Sequence, residues 1–213
     1  MPVPLPSALD ELFRTAVLWR SGASANTAPP SWSYVQLTGR LIELSGHGAT
    51  AGVSAAMALV LAAQERGEPA AWICPRERSY FPPDAAKNGI DLAALVTIFA
   101  SEGRGAAAVA DRLLRSGAFG LAVLDLGQND RLSIAQQGRL VTLAKQHQAA
   151  VVCITEKGSD APSIGSMVSL RAEVTRRQVG FGRFECTVEV LKDKQRGPGW
   201  AHSEVMLGPD GLY

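Results

Sequence analysis

The stretch LIELSGHGATAGVSAAM, from Leu41 to Met57, decides the fold. An apolar run, a glycine-rich turn and an alanine-rich segment follow one another, and this order predicts a strand, a tight turn and a helix. Such a turn at a helix N-terminus is typical of a phosphate-binding loop, in which successive backbone N–H groups surround the phosphates. The lysine on which such a loop depends is missing here.

The loop departs from the phosphate-binding motif at two points. Gly46, Gly48 and Gly52 supply permissive backbone, and Ser54 stands where the motif places the hydroxyl that holds Mg²⁺. Val53 occupies the lysine position, and the spacing from Gly46 to Gly52 is one residue longer than the motif. Because charge-assisted bonds to phosphate are the strong ones, we expect no ATP or Mg²⁺ cofactor and no enzymatic turnover.

The rest of the chain alternates between strand-like and helical segments. Apolar runs at 41–45, 70–74, 95–100, 121–126 and 149–155 are separated by helical patterns at 53–66, 105–115 and 133–147. Continuous apolar strands that alternate with helices indicate an α/β fold, with a mostly parallel sheet covered by helices on both faces. The alternating segments SMVSLRAEVTRR and GRFECTVEVLKDK, separated by Gly180 and Gly182, predict a C-terminal β-hairpin.

Residues 1–20 predict an amphipathic helix that is tethered to this body. The start PSALDEL is similar to a capping box, and Leu9, Leu12, Phe13 and Val17 fall on one face at helical spacing. The predicted organisation is this helix, a linker over residues 21–36, a core over residues 37–199 and a polar tail over residues 200–213. The helix either packs on its own core or docks on a neighbouring protein.

The composition argues for a globular cytoplasmic protein. Apolar residues make up 46% of the 213 residues and charged residues 19%, with a net charge of +1. No run has the length and apolar character of a membrane span, and the N-terminus lacks the features of a secretory signal. Cys74, Cys153 and Cys186 lie far apart in apolar runs, so we expect buried free thiols and no metal site.

Two acidic residues stand where a nucleotide site would use them. Asp125 lies at the end of the run LAVLDL, where a Walker B aspartate, which binds Mg²⁺ in nucleotide sites, would stand. Glu77 follows another strand and could activate water, although a solvated loop charge between Arg76 and Arg78 is the favoured interpretation.

Basic residues concentrate in the predicted hairpin. Residues 171–196 contain seven basic and four acidic side chains, which gives a local net charge of +3. The candidates for contact with DNA phosphates are Arg171, Arg176, Arg177, Lys192, Lys194 and Arg196. The alternative is a solvated hairpin face, which the interleaved Glu173, Glu189 and Asp193 favour.

Residues 37–199 together resemble the ATP-binding core of the RecA recombinases. The likeness runs through TGRLIELSGHGATAGVSAAMALVLAAQERGEPAAWI, NGIDLAAL, DRLLRSGAFGLAVLDL, VSLRAEVTRR and VEVLKDKQRGPG. The segment TEKGSDAPSIGS, at the place of the second DNA-binding loop, is short. This reduced pattern, with an N-terminal segment ending in LWRSG, resembles the ImuA group of RecA-like and SulA-like proteins.

The resemblance implies a non-enzymatic adaptor in DNA-damage-induced translesion synthesis. Such a protein would bind RecA, cap or shorten its filament, and bind the polymerase-like ImuB, with an alternative DnaE polymerase engaged indirectly. It would be cytoplasmic, associated with the nucleoid during damage, with weak DNA binding and no membrane partner. Two alternatives stay open: a DNA-dependent ATPase or recombination mediator, whose surrogate cation would be Arg76, Arg78 or Lys192, and a SulA-like inhibitor of cell division.

Overall fold

The computed structural model describes residues 31–48, 50–100, 102–128 and 131–208. The predicted helix of residues 1–20, with the apolar face formed by Leu9, Leu12, Phe13 and Val17, lies outside these ranges. Most of the predicted linker also lies outside them.

The described chain alternates strands and helices as the sequence predicts. The helices are α1 (Tyr34–Leu37), α2 (Gly52–Gln64), α3 (Pro82–Lys87), α4 (Glu102–Arg115) and α5 (Ile134–His147). The strands are β1 (Leu41–Gly46), β2 (Ala70–Cys74), β3 (Leu95–Phe99), β4 (Leu121–Gly127), β5 (Ala150–Glu156), β6 (Leu170–Gly180), β7 (Arg183–Asp193) and β8 (Ala201–Leu207).

The strands form one eight-stranded sheet in the order β3-β2-β4-β5-β1-β6-β7-β8. The six strands from β3 to β6 in this order pair in parallel, and β7 and β8 extend the sheet antiparallel. Strands β1, β2 and β4 are buried along their whole length. Continuous burial explains their unbroken apolar runs, because helices cover both faces of the sheet.

Each face of the sheet has its own apolar core. On one face, α2 contributes Leu59 and Val60, which pack with Ile42, Leu44 and Trp72. The other face is covered by α4 and α5, whose Leu114 and Leu140 belong to the cluster of Leu41, Ile73 and Leu124. Adjacent residues of β1 and β2 thus enter opposite cores, as the two-residue period of a strand requires. The predicted α/β fold with helices on both faces is confirmed.

Local signals place several helix ends. Helix α5 is capped by Ser133, whose hydroxyl accepts from the Gln136 backbone N–H at 3.2 Å, while the Gln136 side chain accepts from the Ser133 N–H at 3.0 Å. This reciprocal capping box satisfies two helix-terminal donors. Beyond α4, Gly117 adopts φ +70°, a left-handed conformation in which a side chain would be strained.

Two predicted boundaries are wrong. Residues 201–207, expected to belong to a polar tail, form strand β8 and pair with β7 from Arg183–Leu207 to Glu189–Ala201. The alternation of exposed side chains in β8 reflects an edge strand, whose polar composition was misleading. The last linker residues are also part of the body, since Trp32 and Tyr34 are buried and the Tyr34 hydroxyl donates to the Gly120 carbonyl at 2.9 Å.

The structure also bears on the predictions about the cysteines and about membrane spans. Cys74, Cys153 and Cys186 are all buried and free. Within the described ranges, no helix has both the length and the apolar character needed to cross a membrane. Those same ranges contain no group of three or more His, Cys, Asp or Glu side chains positioned to hold a metal ion.

Candidate functional site

The candidate site lies at the carboxyl edge of the parallel strands, where α/β sheets bind their ligands. Three segments meet there: the loop of residues 46–52 after β1 (the β1 loop), the end of β4 with Asp125, and the end of β5 with Glu156. The turn after β2 brings Arg78 to the same edge. The sheet therefore brings the β1 loop and Asp125, which the sequence predicts as parts of a nucleotide site, close to Arg78 and to Glu156, which the sequence did not indicate.

The interior of the β1 loop is filled by a threonine side chain. The Thr50 hydroxyl donates to the Val174 carbonyl at 2.9 Å and accepts from the Gly52 backbone N–H at 3.2 Å. A Cβ placed on Gly46 would lie 2.2 Å from that hydroxyl, so only glycine leaves room for the threonine. The Gly52 N–H, which heads helix α2 and would face a phosphate, is already engaged inside the protein.

The other loop residues leave no positive charge for phosphates. Val53 is 41% exposed and points away from the core, and Ser54 is half-buried on the first turn of α2. Gly48 adopts φ +69°, which gives the turn its sharp bend. Gly46 pairs directly with Glu156 of β5, so an acidic residue lies beside the loop. A carboxylate at this position opposes the binding of a polyphosphate.

Asp125 is buried and is bound by an arginine. Its carboxylate is 2% exposed and its Oδ1 lies 3.2 Å from Nε of Arg78. The same guanidinium places Nη1 3.3 Å from Oε2 of Glu156. Burial raises the pKa of Asp125 above its ordinary value, and the charge of Arg78 opposes that rise. Arg78 therefore bridges the two carboxylates at the ends of β4 and β5.

A cavity of about 220 Å³ opens around this arginine. Its polar lining comes from Arg78, Asp125, Gln128 and Glu156, and Gly127, the last residue of β4, lines it as well. The neighbouring Glu77 is exposed on the short turn Arg76–Arg78, in agreement with the favoured interpretation of a solvated charge. Arg76 stacks on the Phe99 ring at 4.5 Å and takes no part in the pair with Asp125.

The residues present do not fit Mg²⁺ and ATP. The loop interior holds Thr50, the lysine position holds Val53, and the aspartate expected to bind Mg²⁺ is paired with Arg78. Each of these features removes a contact on which a phosphate-binding loop depends.

A buried glutamate in the middle of β1 was missed by the sequence analysis. Glu43 is completely buried, and its Oε1 lies 2.8 Å from Nζ of Lys157. It also accepts from the Ser163 hydroxyl at 2.7 Å, the Ile164 N–H at 3.0 Å and the Thr155 hydroxyl at 3.2 Å. The signal was a carboxylate inside the apolar run LIELSG, since such a group needs partners when buried.

Glu43 and other buried polar side chains fix the loop after β5, residues 157–166 (the β5 loop). Arg171 donates to the Gly158 carbonyl at 2.7 Å, to the Ala161 carbonyl and to the Ser45 hydroxyl. Gln137 donates to the Ile164 carbonyl at 3.4 Å. The resemblance to RecA predicts the second DNA-binding loop at this place, and buried side chains bind it from Gly158 to Ile164.

Arg171 is therefore corrected as a candidate for DNA contact. It is 5% exposed, and its guanidinium donates hydrogen bonds to the β5 loop and to β1. Arg171 lies opposite Lys192 at the base of the hairpin, and this end of β6 is the buried one. The sequence pattern could not separate this buried end of the strand from its exposed end.

The remaining basic candidates fall into two groups. Arg176 and Arg177 lie near the hairpin tip, where Arg176 stacks on Phe184 at 5.0 Å and Arg177 pairs with Glu185 at 2.7 Å. The other three lie at the base of the hairpin. There, burial and the nearby Lys194 lower the pKa of Lys192.

Both remaining basic side chains at the base make hydrogen bonds. Lys194 donates to the Ser166 carbonyl at 2.5 Å, and Arg196 donates to the Gln36 side chain at 2.7 Å. The structure does not bring the six basic candidates together into one patch.

The sheet order, the loop after β1 and the antiparallel extension define a RecA-like α/β core. No model of a known protein family matches the chain. A stretch of 87 residues, 41% of this chain, is 37% identical to Protein RecA of Kineococcus radiotolerans, and it covers 25% of that protein. The match thus spans about a quarter of the length of that curated relative.

A solved structure shares the fold. The crystal structure of the RadB recombinase matches 78% of this chain and 87% of its own chain, with a TM-score of 0.59 and 15% sequence identity. The predicted resemblance to the RecA core is confirmed at the level of the fold.

Proposed function

We propose that this chain is a RecA-like protein that has lost ATP turnover and acts by binding other proteins in DNA repair. The observation that carries the proposal is Thr50, whose hydroxyl fills the β1 loop and engages the Gly52 N–H. The strand, turn and helix of a nucleotide site persist because the crossover from β1 to α2 builds the sheet. The groups that would bind phosphate are replaced or used internally.

The charges at the strand ends support the same proposal. A polyphosphate would approach Glu156, which lies opposite Gly46, and Asp125, whose charge is already balanced by Arg78. A working site instead brings a lysine and Mg²⁺ to the phosphates. The chain therefore has no nucleotide cofactor and no enzymatic role.

The resemblance to the ImuA group supplies the finer proposal. The chain acts as an adaptor in damage-induced translesion synthesis, with RecA and ImuB as direct partners and an alternative DnaE polymerase as an indirect one. It works in the cytoplasm and on the nucleoid during damage. A RecA-like core that carries no working site and joins a filament end would cap or shorten that filament.

The segment that we assign to RecA binding is the predicted helix of residues 1–20. Its apolar face, Leu9, Leu12, Phe13 and Val17, has the spacing of a helix that docks in a groove. The test is capture of purified RecA by the full chain and by a variant lacking residues 1–20. We expect the deletion to abolish capture, and retained capture would remove the helix from the mechanism.

A control variant shows whether a loss of RecA capture comes merely from a change of charge in residues 1–20. Glu11 and Arg14 lie outside the predicted apolar face, so Glu11→Gln combined with Arg14→Gln should leave RecA capture unchanged. ATP hydrolysis by the purified wild-type chain in the presence of single-stranded DNA would overturn the non-enzymatic proposal. Capture of a cell-division protein in place of RecA would favour the SulA-like alternative.

DNA binding by this chain is proposed to be weak. Of the six basic candidates, Arg171 is buried and Arg177 is paired with Glu185, so few charges remain for phosphates. Binding through phosphate contacts must weaken as salt increases, because it is driven by counterion release. An affinity for single-stranded DNA that stays constant from low to physiological salt would contradict this mechanism.

A further inference from the structure

Arg78 pairs with a buried carboxylate although the arginine itself is partly exposed, whereas in the buried pair of Arg40 with Asp193 both side chains are buried. The Asp125 carboxylate is 2% exposed, whereas Asp111, which pairs with Arg115 and Arg139 on the surface, is 14% exposed. The Arg78 side chain itself is 40% exposed and reaches inward from the turn after β2. It is thus a partly exposed cation that balances a charge inside the protein.

The guanidinium takes up a bridging position between two strands. Nε contacts Asp125 at the end of β4, and Nη1 contacts Glu156 at the end of β5. In nucleotide sites of this architecture the aspartate at the end of the equivalent strand binds Mg²⁺. Mg²⁺ commonly uses one or two carboxylates and keeps several waters. Asp125 and Glu156, placed around one cation, would form such a pair.

The backbone at the end of β4 is shaped around the guanidinium. A Cβ on Gly127 would lie 2.8 Å from Cζ of Arg78, and Gly127 adopts φ +57°. The pairing of β4 with β5 also shifts register between Asp125 and Gly127. A side chain at residue 127 would therefore both strain the backbone and displace Arg78.

We propose that Arg78 is a built-in cation that takes the place of a divalent ion between Asp125 and Glu156 and keeps divalent ions out. A guanidinium stays charged at every pH that the protein meets, so this cation is permanent. The end of the sheet is then fixed in one state, without a nucleotide or a metal ion. Removing the arginine should turn the same two carboxylates into a divalent-cation site.

The inference concerns the same edge of the sheet as the proposed function, but it does not rest on the adaptor role or on any partner. ATP hydrolysis by the wild-type chain would overturn the proposed function. Divalent-ion binding at Asp125 would instead overturn the role of Arg78. The two failures are distinguishable because the second needs no nucleotide.

The test is Mn²⁺ binding, followed by the paramagnetic signal of the free ion and by thermal unfolding. We expect the wild-type chain to show no saturable binding and no shift of Tm on addition of Mn²⁺ or of a chelator. Arg78→Gln should lower Tm, because it leaves Asp125 buried without its cation. Mn²⁺ should restore that Tm and bind at least about tenfold more tightly than to wild type.

Three further variants make the result specific. In the double variant Arg78→Gln with Asp125→Asn, Mn²⁺ should no longer raise Tm, since one carboxylate of the pair is gone. Arg139→Gln, which removes a surface partner of Asp111, should gain no Mn²⁺ response. If Arg78→Gln fails to fold, Arg78→Ala replaces it, because it also removes the cation and leaves room for the ion and its waters.

Either of two outcomes would overturn the proposal. The first is wild-type binding of Mn²⁺ as tight as that of the Arg78 variant, which would show that the arginine does not exclude the ion. The second is an Arg78 variant that folds but neither binds Mn²⁺ nor regains Tm, which would show that Asp125 and Glu156 do not form a cation position.

Discussion

The β1 loop and the β5 loop lie at the same edge of the sheet, and both are closed, but by different means. In the β1 loop a single small side chain, Thr50, fills the turn with two hydrogen bonds. In the β5 loop a buried carboxylate, Glu43, and a buried guanidinium, Arg171, hold the backbone across the sheet. The first loop depends on one hydroxyl, whereas the second depends on charges that the core cannot leave unpaired.

The difference shows two routes by which the loops at the edge of an α/β sheet can be held in place. Filling a loop with a threonine costs little, because the hydroxyl replaces hydrogen bonds that water would otherwise make. When buried charges hold a loop, the stability of the core depends on them, since removing either partner leaves a buried charge unpaired. We therefore expect substitutions in the β5 loop to affect stability more than substitutions in the β1 loop.

The largest effect is expected from Glu43→Ala. It leaves Lys157, whose side chain is 13% exposed, without its carboxylate, together with the Ser163 hydroxyl and the Ile164 N–H. Breaking a buried pair by removing one partner costs about 3–5 kcal/mol. Urea unfolding measures the loss, and the control Glu185→Ala, which removes the exposed pair with Arg177, should cost about 0–1 kcal/mol. Equal losses in both variants would refute the buried anchor.

A smaller loss is expected from Arg171→Met, which keeps the length of the side chain and removes its donors. The carbonyl groups of Gly158 and Ala161 lose a charged partner, so unfolding should become easier by about 2–3 kcal/mol. Hydrogen exchange should accelerate in residues 157–166 and stay unchanged in the β1 loop. Unchanged exchange in the β5 loop would show that Arg171 does not hold it.

Thr50→Val tests the β1 loop with a change of the same shape. The Gly52 N–H loses its acceptor and the Val174 carbonyl loses its donor, at an expected cost of about 1 kcal/mol. The matched control is Thr142→Val, whose exposed hydroxyl donates to the Gly138 carbonyl within α5 at 2.9 Å. A control variant as destabilised as Thr50→Val would show that the loop hydroxyl has no special role.

An effect as small as that of Thr50→Val is expected at Tyr34, away from both loops. Burial and the nearby Glu68 raise the pKa of its hydroxyl to about 12, so the folded state keeps the proton longer than the unfolded state does. The resulting stability is complete below pH 10 and is lost as pH rises from about 10 to about 12. Tyr34→Phe should cost about 1 kcal/mol at neutral pH and abolish that alkaline loss. Urea unfolding at several pH values follows both, and an unchanged alkaline loss in the variant would assign it elsewhere.

Sequence reasoning captured the parallel core, because buried strands and amphipathic helices have distinct periods. Strand β2 was predicted at residues 70–74 and is found there, and the helical pattern at residues 133–147 is found as α5 at Ile134–His147. Strand β8 was missed because an edge strand with one solvated face carries polar residues and resembles a tail.

The site was predictable only in part. The altered β1 loop was visible at Val53, since the motif fixes which residue type belongs there. The roles of Thr50, Arg78 and Glu43 depend on contacts across more than thirty residues of sequence, which no local pattern encodes. Arg171 was misassigned for the same reason, because charge in a sequence does not reveal which end of a strand is buried.

The most direct test of the central claim is a calorimetric titration of ATP with Mg²⁺ into the wild-type chain, with single-stranded DNA present. The filled β1 loop, the exposed Val53 and the pairing of Asp125 with Arg78 predict no saturable heat and no release of phosphate. Saturable binding with a micromolar Kd, or phosphate release above that of a buffer blank, would contradict the account.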